Sequence, residues 1–78
     1  MPVALRIGSY IFFFYSADRP EPPHIHVENN GREAKFWLTP VELERNQGYR
    51  QHELNRVTRM VEENLDILLR KWHEHFGI

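Results

Sequence analysis

The sequence has no cysteine among its 78 residues. That excludes disulfide staples, thiolate metal sites, iron–sulfur clusters and thiol catalysis, and it suits a reducing compartment. Long apolar runs are missing as well. The longest, Tyr10 to Tyr15, is far too short to span a bilayer. Neither sign of charge dominates, with ten Lys and Arg against eleven Asp and Glu. Bulk electrostatics therefore gives no reason to bind nucleic acid, which leaves local patches to consider. The opening stretch MPVALRIGSY holds a single arginine and no apolar signal-peptide core. The expectation is a cytoplasmic protein that does not engage a membrane.

What is present is aromatic: 13% of residues are Phe, Trp or Tyr, too many for a disordered chain. A chain this short buries only about 60% of its unfolded surface, so its core needs help from a partner or another tether.

The first half reads as strands and tight turns. Val3 to Ile7 and Tyr10 to Tyr15 are β-prone runs separated by Gly8-Ser9, a pair suited to a type II′ hairpin. That turn sets Ile7 against Tyr10, Arg6 against Ile11 and Leu5 against Phe12. The segment Asp18-Arg19-Pro20-Glu21-Pro22-Pro23 follows as a stiff loop, because its prolines fix φ and forbid helix. His24 to Glu28 and Arg32 to Leu38 then flank Asn29-Asn30-Gly31. A two-residue type I′ turn at Asn30-Gly31 sets Asn29 against Arg32, Val27 against Ala34 and Ile25 against Phe36. A slip of one residue would mix core and solvent faces, so apolar matching selects this register.

In the second half, Thr39-Pro40-Val41-Glu42 has the pattern of a capped helix start, with a stop at Gly48. From Gln51 to Phe76, the residues Leu54, Val57, Val61, Leu65, Leu68, Trp72 and Phe76 recur at three- and four-residue steps, one apolar stripe. The expected fold is α+β over a single domain, residues 1–78. A four-stranded antiparallel β-meander (1–38) precedes a helical half (39–78), in which a short helix leads to a long one packed on one sheet face. Arg45, Arg50, Arg56 and Arg59 make the helical junction locally basic and give it a faint helix-turn-helix outline.

The sharpest chemical feature is Pro22-Pro23-His24-Ile25-His26-Val27-Glu28. Strand alternation puts His24, His26 and Glu28 on one face and sends Ile25 and Val27 to the core. The same register brings Lys35 opposite His26 and Glu33 opposite Glu28. Arg6, Phe13, Tyr15 and Trp37 complete a mixed aromatic and basic surface of the kind used for protein docking or for stacking on RNA. Docking through this sheet face is the first reading. In the second, His24 and His26 act as a metal-independent acid–base pair on a phosphodiester, with Lys35 stabilising developing charge and a ribose hydroxyl serving as nucleophile. In the third, His24, His26 and Glu28 bind a divalent metal, a reading opposed by Lys35, whose charge repels a cation. The leading reading calls for no cofactor.

The run RIGSYIFFFYSADRPEPPHIHVENNGREAKFWLTPVELERNQGY, followed by a helix ending KWHEHF, resembles the bacterial family called domain of unknown function 4160. The likeness spans nearly the whole chain, and FFFYS, PPHIHVE, EAKFWL and WHEHF carry most of it. The resemblance implies a toxin–antitoxin module component whose cognate partner is a small protein of the family domain of unknown function 2442. It also leaves room for RNA as a target, and two open sheet edges leave room for a homodimer.

Overall fold

In a computed structural model, residues 2–77 are described. They form β1 (Val3–Ile7), β2 (Tyr10–Phe13), β3 (His24–Asn29), β4 (Arg32–Leu38), β5 (Val41–Gln47), α1 (Gln51–Glu63) and α2 (Leu65–Phe76). The strands make one antiparallel sheet in sequential order, β1-β2-β3-β4-β5.

Both glycine turns behave as their residues dictate. At the first, only Gly8 takes a positive φ, +56°, as type II′ requires, and Ile7 faces Tyr10. At the second, Asn30 and Gly31 are both left-handed, at φ 52° and 79°, as type I′ requires. Ile25 accordingly faces Phe36, and Val27 faces Ala34.

The expected short helix is a strand. Residues Val41–Gln47 pair with β4, giving five strands where four were expected, so the second half of the chain is not all helical. Thr39 and Pro40 form a tight turn with a cis peptide bond, and Leu38 pairs with Val41 across it. β5 supplies hydrogen-bond partners to β4, which would otherwise be an edge. That gain outweighs the helix preference of the glutamates in VELERNQ. The expected long helix is also two helices, broken at Asn64, whose φ of −111° and ψ of 17° lie outside the helical range.

The apolar stripe survives the break. Leu54, Val57, Val61, Leu68 and Trp72 bury against Phe12, Phe14, Ile25, Val27, Ala34, Phe36 and Leu38 on one sheet face. Glu53, in the first turn of α1, pins the helix to the sheet. Its carboxylate accepts from Tyr10 Oη at 2.9 Å, Asn29 Nδ2 at 3.4 Å and Arg32 Nη1 at 3.5 Å. The opposite sheet face is not open. The segment after β2, with a 3₁₀ turn at Ser16–Asp18, reaches His24, His26 and Lys35 through Asp18 and Glu21, and Trp72 of α2 also covers His24, so that Phe13, His24, His26 and Lys35 are buried.

Candidate metal centre

His24 and His26 open β3, where strand alternation puts both imidazoles on the face opposite Ile25, although His24, at the strand's start, also meets the Trp72 ring of α2 at 5.0 Å. His24 is 0% and His26 2% exposed. The loop brings a third group to them: Asp18 Oδ2 lies 3.0 Å from His24 Nε2 and 3.1 Å from His26 Nε2. The three donor atoms all lie within 4.8 Å of one another.

The second ring nitrogens fix what these atoms can do. His24 Nδ1 is 2.9 Å from the Pro22 carbonyl, which can only accept, so the ring proton sits on Nδ1. In the neutral imidazole, Nε2 then turns a lone pair toward Asp18 Oδ2. It is buried with no hydrogen-bond partner. Two acceptors 3.0 Å apart repel each other unless a cation is shared between them. On the second ring, His26 Nε2 is hydrogen-bonded to Asp18 Oδ2 at 3.1 Å, and an ionised carboxylate can only accept, so without a metal the ring proton sits on Nε2. Its Nδ1 lies 3.4 Å from Glu33 Oε2, close but without hydrogen-bond alignment.

Asp18 is itself tightly held. Its Oδ2 accepts the Tyr15 N–H at 2.8 Å. Burial pushes its carboxyl upward, but that N–H together with the two imidazoles outweighs burial and holds it below the usual carboxylate range. Burial holds the His26 imidazole below its ordinary value against the pull of Asp18, and the neighbouring His24 adds to the lowering. An anionic Asp beside a neutral His26 is the protonation state a metal ligand set requires.

The remaining predicted residues divide around this cluster. Phe13 stacks on His26, with ring centroids 5.4 Å apart, and Tyr15 meets the same ring edge-on at 4.6 Å. Trp37 stands edge-on to His24 at 5.6 Å. Lys35 faces His26 in the register, yet its ammonium pairs with Glu21 and sits 4.7 Å over the Trp37 ring. Its charge is therefore neutralised locally. Glu28 does not join the histidines; it accepts the Gly31 N–H in the β3–β4 turn at 3.1 Å. Arg6 is exposed on β1, opposite Ile11.

Asp18 is the residue of this cluster that the sequence pattern alone does not point to. It lies eight positions before His26 in a loop, where neither helical nor strand periodicity places a side chain. The one signal was its position: an acidic residue in the stiff proline segment leading straight into the first histidine.

The sequence model described as domain of unknown function (DUF4160) matches residues 9–73. The chain belongs to that family. The DUF4160 match includes Asp18, His24, His26 and Glu33. No curated protein and no solved structure gives a significant match to this DUF4160 chain. Among its described residues, no helix is long and apolar enough to cross a membrane.

Proposed function

We propose that this DUF4160 chain is a divalent-metal-binding domain with Asp18 Oδ2, His24 Nε2 and His26 Nε2 as ligands. The observation that carries this reading is the convergence of both Nε2 atoms on one carboxylate oxygen, at 3.0 and 3.1 Å. Donors bound to one ion at about 2.1 Å lie roughly 3.0–3.4 Å apart, so the pairs that include Asp18 are already at ligand spacing. Lone-pair counting favours an ion over two separate protons. Asp18 Oδ2 has two lone pairs, and Tyr15 N–H takes one of them. A single ion shared by both imidazoles uses the other, whereas two separate ring N–H donors would compete for it.

An N₂O donor set of imidazole and carboxylate suits Zn²⁺ and its first-row neighbours, and three protein ligands leave a position for water. Burial favours this role over acid–base cleavage of RNA, because a polymer cannot reach imidazoles that are 0% and 2% exposed. With Lys35 paired to Glu21, the repulsion that opposed a metal is also removed.

Untagged protein titrated with Zn²⁺ against a chromophoric chelator should bind one equivalent, and Asp18→Asn and His26→Ala should each lose most of that affinity. Folded wild type that takes up no Zn²⁺, or an Asp18→Asn protein that binds as wild type does, would overturn the reading.

The family resemblance supports a second, compatible role as a bacterial, cytoplasmic toxin–antitoxin component bound to a small protein of domain of unknown function 2442. The observation favouring it is Tyr15, 40% exposed while the neighbouring Phe13 is buried. A hydrophobic side chain left at the lip of the site is a natural docking contact. Co-purification of the two proteins, abolished by Tyr15→Ala, is the expected result.

A further inference from the structure

The metal reading leaves one feature of the sheet unexplained. Glu28 and Glu33 stand directly opposite each other on β3 and β4. Like charges at facing positions weaken a sheet. Glu28 has a structural use, since it accepts the Gly31 N–H and helps close the type I′ turn. Glu33 has no comparable backbone role. Its Oε1 is 3.5 Å from the Tyr15 hydroxyl, and its Oε2 is 3.4 Å from His26 Nδ1.

We infer that Glu33 is the positioning residue of the metal centre, receiving the ring proton of His26 on Nδ1 when an ion takes the place of the Nε2–H bond to Asp18, so that Nε2 offers its lone pair to the ion. This rests on the metal reading. The two histidines would then have matching arrangements: the Pro22 carbonyl already bonds His24 Nδ1 at 2.9 Å, and the Glu33 carboxylate, 3.4 Å from His26 Nδ1, would come to bond it once the ion is bound. A carboxylate behind a ligating imidazole fixes its tautomer and raises its basicity, so the bond to the metal strengthens. A small rotation of the His26 ring, drawn by the ion, would align its Nδ1–H with Oε2. Phe13, stacked on the ring, and Tyr15, edge-on to it, limit how far it can turn. The repulsion between Glu28 and Glu33 is the stability given up for this arrangement.

The test separates a positioning role from a structural one. Zn²⁺ affinity and the metal-free urea midpoint are measured for wild type, Glu33→Gln, Glu33→Ala and, as a control, Glu28→Gln. Glu33→Ala should bind Zn²⁺ roughly 10–100-fold more weakly, the usual loss for a partner behind a ligand. Glu33→Gln keeps an uncharged acceptor and should lose less. The metal-free midpoint of both Glu33 variants should equal or exceed that of wild type, because a repulsion has been removed, and Glu28→Gln should keep wild-type affinity. Long-range ¹H–¹⁵N spectra of the zinc-loaded protein should show His26 protonated at Nδ1 in wild type. Wild-type affinity in Glu33→Ala would overturn the inference while leaving the metal centre standing. A metal-free midpoint that falls in step with affinity would assign Glu33 a structural role instead. Absence of Zn²⁺ binding by wild type would remove the metal reading and this inference together.

Discussion

Tyr49 ties the start of the helical layer to the middle of the sheet. Its hydroxyl donates to the Val27 carbonyl at 3.0 Å, and its ring is buried in the core. Burial pushes the phenol far above its ordinary value, so it stays a neutral donor at any pH the fold tolerates. Tyr49→Phe removes the donor but keeps the ring. It should lower unfolding free energy by about 1 kcal/mol, read as a drop in urea midpoint at unchanged slope. Single residues at the site show how far sequence reading extends. The shared face of His24 and His26 follows from strand period alone, and the type I′ turn sets Lys35 against His26. That Lys35 turns its charge to Glu21 does not follow, because Glu21 reaches it from a loop fourteen residues away.

Among the elements, β5 is the least expected. Its sequence alternates Val41, Glu42, Leu43, Glu44, so strand periodicity was present but was outweighed by the Thr-Pro-x-Glu helix-start pattern. The strand is exposed along nearly its whole length, and an exposed strand needs no apolar face to announce it. Its register shifts between Lys35 and Phe36, which face Arg45 and Leu43, so Glu44 bulges. β1 shifts likewise between Val3 and Leu5. Bulges on both edge strands hinder further strands from pairing there, which is how small sheets avoid aggregation. The turn from β5 into α1 depends on Gly48, at φ 108°, where a Cβ would lie 3.2 Å from Arg32 Cγ. Asn46 closes this turn by accepting the Tyr49 N–H and donating to the Tyr49 carbonyl. Gly48→Ala should therefore cost roughly 1–3 kcal/mol through the disfavoured φ, measurable as a lower melting temperature with the same secondary-structure signal.

For the whole molecule, the loop carrying Asp18 is the weak seam. It is held to the sheet by polar contacts to Asp18, Glu21 and the Pro23 carbonyl, which accepts the Leu38 N–H at 3.0 Å. An ion bound by Asp18 on one side and by His24 and His26 on the other would clamp that seam. A domain of this size, without cysteines, gains from such a clamp as other small folds gain from disulfides. At a free metal level of 100 times Kd, linkage supplies about 2.7 kcal/mol. For a domain under 100 residues that amounts to roughly 10 °C or more in Tm. Calorimetry of zinc-loaded protein before and after chelation should show a fall of that order, while Asp18→Asn should show none.

The sequence by itself determined the two hairpin turns, the β3–β4 register, the apolar stripe of the helices and the common face of the histidines. Each depends on nearest neighbours in the chain: a residue that tolerates positive φ, a period of two, a period of three to four. The tertiary structure alone decided that residues 41–47 extend the sheet and that Asp18, not Glu28, completes the cluster. β5 forms because β4 would otherwise leave its backbone groups unpaired, a condition set by another strand. Asp18 arrives because the proline loop folds back over β3. Its endpoint depends on the packing of the whole sheet, and no local periodicity encodes it.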